Sequence, residues 1–308
     1  NEEKIEDIIR ATYDKNQNDE FIQPTTLVAD RGINDNDSLI FIDFREDSIR
    51  QIVESFILPD FDKFPVKKLQ NLFVATMTEY SQAFKVPVAF PSEVITHPLG
   101  KVLSDNDRTQ LLIAETEKYA HVTYFFNGFR DQAFPNQTKF LVPSRNVEHH
   151  DEYPQMKAAE IADKVVEAIN GQMYDCLVVN FANADMVAHT GNFAAAKVAI
   201  QTVDDQLARI LKACEATGTY LVITADHGNA EVMVDIMTGQ IETSHDPSPV
   251  PLYVVGPEFR RDKTMVQAKQ TESQVAGILS DVAPTILEIF GISQPVEMTG
   301  QSLLKFLS

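Results

Sequence analysis

Apolar and polar positions along the chain switch repeatedly between a helical period and a strand period. Residues 5–13 carry apolar side chains at helical spacing, 38–44 form a strand-like run, 47–56 return to helical spacing and 71–77 are again strand-like. The stretch Val86-Pro-Val-Ala-Phe-Pro-Ser-Glu93 interrupts this pattern with two prolines and reads as a linker or crossing segment. Beyond it the alternation becomes regular. A helix over 107–119 leads to a strand over 121–126. A helix over 156–169, closed by Gly171, leads to a strand over 175–180, and a long helix over 193–216, closed by Gly218, leads to a strand over 220–224. Residues 250–255 add a strand and 281–289 a helix. Strands alternating with helices predict an α/β fold, a mostly parallel sheet with helices on both faces. No internal repeat or low-complexity segment is present.

Two places in this pattern carry chemistry. The apolar run Tyr220-Leu-Val-Ile-Thr224 stops at an adjacent carboxylate and imidazole, Asp226 and His227, with Gly228 next. The C-terminal ends of strands are where open α/β sheets place metals and ligands. Adjacent residues of an extended strand point to opposite faces, so both can face one centre only where the chain breaks into a turn, which Gly228 permits. Upstream, Asp185 and His189 are four apart, and on a helical turn they share one face and can grip one divalent ion. A helix-capping aspartate beside an unrelated histidine has the same spacing. His245 lies in a loop before the proline-rich approach to the 250–255 strand. Mixed imidazole and carboxylate donors suit zinc or manganese, and the sequence does not choose between them.

Lys118 ends the 107–119 helix, where a lysine also meets the helix dipole favourably. Arg45 and Arg50 follow the 38–44 strand and suit bidentate binding of phosphate or carboxylate, although solvated helix-face arginines look the same. His149, His150 and Asp151 read as an exposed loop. There is no P-loop and no strand-then-glycine dinucleotide fingerprint.

Composition narrows the classes. The 44% hydrophobic and 23% charged fractions are those of a globular protein with a substantial core. A formal charge of −19 argues against a nucleic-acid-binding surface, which needs a basic footprint, but allows an anionic substrate in a locally positive cleft. No apolar run approaches the roughly 18 residues that span a bilayer, so no membrane association is expected. The acidic opening, which begins at Asn1, lacks the basic region of a signal peptide. Two cysteines, Cys176 and Cys214, are too few for a disulfide framework and read as buried inert thiols in a reducing cytoplasm.

Several motifs carry a family resemblance. Thr224-Ala-Asp-His-Gly-Asn-Ala-Glu231, Asn180-Phe-Ala-Asn-Ala-Asp-Met-Val-Ala-His-Thr-Gly191 and Glu117-Lys-Tyr-Ala-His-Val-Thr-Tyr-Phe-Phe-Asn-Gly128 resemble cofactor-independent phosphoglycerate mutases, as do residues 277–287 and 297–303. The resemblance implies an alkaline-phosphatase-like fold, with residues 1–90 as the C-terminal part of an inserted phosphotransferase domain and 91–308 as the metal-binding phosphatase-like domain. It also implies interconversion of 3- and 2-phosphoglycerate through a phosphoserine intermediate, with two manganese ions. Asp185, His189 and His245 would hold one ion. Asp226 and His227 would contribute to the other, with Lys118 at the transferring phosphoryl group and Arg45 on the substrate.

Measured against that family, its opening strand with a metal-binding aspartate, its nucleophilic serine and the first half of its transferase domain are not among these 308 residues. The chain alone is therefore expected to be an incomplete, inactive portion of a protein that is monomeric at full length. The family's Phe-Arg-x-Asp-Arg pattern is Phe44-Arg-Glu-Asp-Ser48 here, with Arg50 two positions on as a substitute. A metal-dependent phosphatase of the same superfamily and a non-catalytic binding relative are the alternative readings.

Overall fold

A computed structural model describes residues 5–15, 17, 19–27, 32–81, 83–91, 95–259 and 264–307. Ser92 and Glu93 of the proline-bearing crossing lie outside the described residues. The chain divides into two compact units, Asn1–Val94 and Ile95–Ser308.

The first unit contains helix α1 (Ile5–Tyr13), strand β1 (Ser38–Phe41), helix α2 (Glu46–Ile57) and strand β2 (Phe73–Thr76). β1 and β2 pair in parallel, with Ser38 opposite Phe73 and Phe41 opposite Thr76. β1 is three residues shorter than its apolar pattern. The buried Tyr80 hydroxyl gathers the backbone there, accepting from Asp43 N–H and donating to the carbonyls of Phe41 and Asp43. Side chains alternate along this run. Phe41 meets Phe56 of α2 with ring centroids 5.9 Å apart, whereas Ile40, Ile42 (82% exposed) and Phe44 (75% exposed) face away.

The second unit is built on a three-stranded parallel sheet of order β4-β3-β5. Helix α3 (Leu99–Asp105) precedes β3 (Gln110–Glu115), which runs straight into helix α4 (Thr116–Ala120) and a π-helical turn, His121–Phe125. The structure thus reverses the expected helix over 107–119 and strand over 121–126. Leu111-Leu112-Ile113-Ala114 is a continuous apolar run, and periodicity cannot separate a strand buried on both faces from a buried helix. Every residue of β3 is buried. Leu111 and Ile113 enter the cluster under α5 (Ala158–Asn170) and α7 (Phe193–Thr217), while Leu112 and Ala114 meet Val122 and Phe126 on the other face. The aromatic and β-branched segment after α4 stays helical, helped by a 2.6 Å bond from the Thr123 hydroxyl to the Tyr119 carbonyl.

Strand β4 (Gln137–Val142) pairs with one edge of β3 and β5 (Cys176–Val179) with the other. Neither α3 nor β4 was expected from the sequence pattern. Between β5 and α7 lies the short helix α6 (Asn183–Ala188). α7 starts at Asn192, whose side chain accepts from Ala195 N–H, and stops at Gly218, whose φ of 70° is the left-handed cap that glycine adopts without strain. Strand β6 (Leu221–Thr224) follows and pairs antiparallel with β7 (Leu252–Val255). Helices α8 (Met265–Glu272), α9 (Val282–Ile289) and α10 (Leu304–Leu307) complete the unit, with Leu287 of α9 packing on Leu99, Val102 and Leu103 of α3. Helices therefore cover both faces of the parallel sheet, an α/β fold.

The cysteines behave as inert core groups: burial pushes the Cys176 thiol up to about 12 and the Cys214 thiol up to about 11. No described helix is long and apolar enough to cross a membrane.

Candidate metal centre

Three strand ends converge on one rim of the second unit. β3 passes into α4, which carries Lys118; β5 leads to α6, which carries Asp185; β6 leads to Asp226 and His227. His189 closes α6, its N–H donating to the Asp185 carbonyl at 3.1 Å, so the four-residue spacing does place both side chains on one helical face. His245 arrives from far along the chain. Gly228 and Asp246 exchange backbone hydrogen bonds of 3.1 and 2.8 Å, and this short antiparallel bridge draws the 243–246 loop onto the corner after β6. Space at 228 is tight: a Cβ there would come within 3.0 Å of the Asp246 carbonyl and would displace the Glu231 carboxylate.

The donor atoms then form a tight triangle. Asp185 Oδ1 is 3.2 Å from His189 Nε2 and 3.4 Å from His245 Nε2, and the two imidazole nitrogens are 3.1 Å apart. Ligand atoms bonded to one divalent ion at about 2.0–2.2 Å are separated by about 3–3.5 Å, so the set fits a metal. His189 Nδ1 lies 2.7 Å from the Thr243 carbonyl, which can only accept. The proton therefore sits on Nδ1 and the Nε2 lone pair faces the triangle. His227 is held by the same logic, Nδ1 on the Gly228 carbonyl at 3.1 Å, and its ring stacks on His245 with centroids 3.6 Å apart. Asp185, His227 and His245 also offer donor atoms within 4.8 Å of one another. Asp226 is the outlying member: its exposed carboxylate lies 3.5 Å from His227 Nε2.

Lys118 is not the solvated last-turn lysine that its place in the sequence allowed. Only 6% exposed, it pairs with Asp185 Oδ2, while the Asn229 amide donates to Asp185 Oδ1 at 2.8 Å. Burial alone would raise the Asp185 carboxyl. Hydrogen bonds from Lys118 and Asn229, together with the lysine charge, instead hold it well below the usual carboxylate range. Burial lowers His245, reinforced by the neighbouring His227 and opposed by Asp185, which keeps the ring neutral and able to ligate. Asn229 has no counterpart among the candidates drawn from the sequence. It sits inside the Asp-His-Gly-Asn motif, but a loop asparagine by itself carries no metal signal.

Arg45 and Arg50 belong to the first unit, at the N-cap and in the second turn of α2; Arg45 is exposed and Arg50 half-buried. His149 and His150 are half-buried, contrary to the exposed loop expected of them, because a 3-10 turn over His150–Glu152 folds them back with the His150 ring 4.0 Å from Glu117.

At the head of α4, the fully buried Glu115 accepts from the Ser144 hydroxyl at 3.0 Å and from Lys157 N–H at 3.3 Å. Burial nonetheless pushes its carboxyl up. A carboxyl raised by folding stabilises most fully when protonated, and this contribution is lost as pH rises through its folded value. Glu115→Gln should therefore gain in Tm relative to the parent chain as pH goes from 4 to 7. Thermal melts at the two pH values check this, and a difference independent of pH would count against it.

An α/β layer that gathers carboxylates and imidazoles at its C-terminal strand ends has the architecture of a metalloenzyme. The family model of the Metalloenzyme superfamily matches residues 41–294, and the chain belongs to that family. Curated relatives include the 2,3-bisphosphoglycerate-independent phosphoglycerate mutase of Ectopseudomonas mendocina, 41% identical over 96% of this chain and 56% of that protein. The protein of the same description from Francisella tularensis subsp. novicida is 44% identical over 97% of this chain and 57% of its own length. The chain thus spans little more than half the length of these relatives. The crystal structure of Leishmania mexicana phosphoglycerate mutase at low cobalt concentration superimposes with a TM-score of 0.75 at 28% identity, covering 87% of this chain and 51% of that one.

Proposed function

We propose that the chain is the metal-binding portion of a phosphoglycerate mutase that interconverts 3- and 2-phosphoglycerate through a phosphoserine intermediate. The observation that carries this reading is the Asp185–His189–His245 triangle with Lys118 seated against the second oxygen of the Asp185 carboxylate. The named function of the relatives supports the substrate. In this reading Asp185, His189 and His245 hold one manganese ion, and Asp226 and His227 contribute to a second. Such a pair of ions supplies charge neutralisation for a phosphoryl group in transfer and lowers the pKa of the attacking hydroxyl.

The chain's own groups do the remaining work. Lys118 has three N–H donors, one engaged by Asp185, and the others suit phosphoryl oxygens near the same carboxylate. Asn229 fixes Asp185 so that Oδ1 stays directed at the two imidazoles. Residues 1–90 act as part of the phosphotransferase domain, where the planar guanidinium groups of Arg45 and Arg50 take the substrate's carboxylate or phosphate bidentately. The full-length protein works as a cytoplasmic, glycolytic monomer, and residues 1–308 alone are inactive.

Calorimetric titration with manganese tests the site. His189→Ala should weaken manganese binding by at least about 10–100-fold, and an unchanged affinity would remove His189 from the ligand set. In the same preparation, 3-phosphoglycerate with added manganese should give no 2-phosphoglycerate, and robust conversion would overturn the inactive-portion reading.

A further inference from the structure

The metal triangle depends on α6, and α6 cannot hold its own place. It spans only six residues, Asn183–Ala188, and its N-cap, Ala182, makes no side-chain capping bond. A helix this short is not stable on its own hydrogen bonds and takes its position from what it touches. At its far end Val187 and Ala188, both 0% exposed, pack with Ala195, Ala196 and Ala199 of α7. Apolar contacts are non-directional and by themselves let a helix turn or slide. Asp185 lies just before that end and His189 just after it, and donor separations of 3.1–3.4 Å tolerate little of either movement.

The near end is held differently. Asn183 is 0% exposed, and its side-chain amide donates to the carbonyls of Pro154 and Gln155, both at 2.9 Å. Carbonyls only accept, so the amide nitrogen is the atom that faces them. The amide oxygen is buried and has no partner among the described residues. Leaving such an oxygen unpartnered is unfavourable, and an apolar side chain of the same size would avoid it. What the asparagine adds is direction: two bonds that fix the rotation and height of α6 at its first residue.

The carbonyls it meets belong to a strap, residues 143–157, that is itself tied down. Glu115 at the head of α4 accepts from the Ser144 hydroxyl at 3.0 Å and from Lys157 N–H at 3.3 Å, and the Thr116 hydroxyl accepts from Ser144 N–H at 3.0 Å. Asn192, the cap of α7, donates to Asp151 at 2.9 Å. Directly after the two carbonyls, Met156 is held at φ 43°, a conformation that L side chains rarely adopt. Strap and asparagine thus join the start of α6 to the head of α4, the helix that carries Lys118. The Lys118–Asp185 pair closes that circuit from the other side.

We infer that Asn183 is a positioning residue for the metal centre: by anchoring α6 to the strap, it sets where Asp185 and His189 stand relative to His245 and Lys118. Its hydrogen bonds go to the strap, so it acts through α6 and not on the ion. The inference rests on the reading of the triangle as a metal site.

Cobalt titration of the 308-residue chain tests it, because the visible absorption of the bound ion reports ligand geometry as well as occupancy. Asn183→Ala should weaken cobalt binding at least about tenfold and shift the visible band, as loss of an outer-shell support does. Asn183→Leu, which keeps the volume without the donors, should do the same. Leu287→Ala, in the cluster of α3 and α9, should lower the melting temperature at least as much and leave affinity and band unchanged. All titrations are run where circular dichroism shows the chain folded. Affinity and spectrum kept in both Asn183 variants would overturn the positioning role and leave the triangle intact. An equal loss of affinity in Leu287→Ala, or failure of both Asn183 variants to fold, would also overturn it, by making the effect one of stability alone. No cobalt binding by the parent chain would instead overturn the metal-site reading, and this role with it.

Discussion

Asp185→Ala is expected to cost the second unit about 3–5 kcal/mol of stability in the absence of metal, because it strands the Lys118 ammonium in the interior. The two side chains are only 8% and 15% exposed, so solvent does little to screen the change. Removing one partner of a buried pair forfeits the attraction but keeps the desolvation cost of the other, whereas removing both keeps neither. The double variant Lys118→Met with Asp185→Asn should accordingly recover most of the loss. Asn retains the hydrogen-bond volume near Asn229, and Met fills the lysine stem with an apolar chain of similar length. Urea titrations of the apo proteins read this directly. A single-variant loss below about 1 kcal/mol would mean that the ammonium finds water, and the pair would then rank with surface ion pairs. The metal-free comparison matters, since any ion bound to the native state adds its own stabilisation.

The second large effect belongs to β3. Leu112→Ala and Ile113→Ala should each cost about 2–5 kcal/mol, although the two side chains point into different clusters. Both are 0% exposed. Adjacent positions that are equally intolerant mark a strand covered on both faces. An amphipathic helix would bury one and spare the other. Urea unfolding of the two single variants separates these cases, and a near-neutral result at either position would remove β3 from the centre of the sheet.

That contrast also shows what the sequence could convey. Among the elements read correctly from pattern alone, α5 and α7 with the strands after them carry the clearest punctuation. Gly171 closes α5 and Gly218 closes α7, and each is followed within a few residues by a short β-branched run, β5 or β6. β3 lacks such marks. Its four consecutive apolar residues fit either period, and leucine and alanine tilt the local preference towards helix until burial on both faces overrides it. β4 was invisible for the opposite reason: Gln137-Thr-Lys begins it with polar residues, and its outer edge leaves Phe140 and Leu141 exposed.

The candidate site was legible in the same uneven way. Asp185 and His189 announce themselves by a spacing that one helical turn enforces. The proximity of His245 depends on a backbone bridge between Gly228 and Asp246, and the contribution of Asn229 depends on the turn after β6. Both are contacts between distant segments that no local pattern records.

The 243–246 loop has a consequence of its own. Its Thr243 carbonyl fixes the tautomer of His189, and its His245 is a donor in its own right, so one short segment governs two corners of the triangle. The segment acts as a clasp. If it lifts, one imidazole leaves and another loses the contact that aims it, so the donors are gained or lost together and not one at a time. Affinity for an ion at this triangle is therefore a measure of how often the clasp is shut.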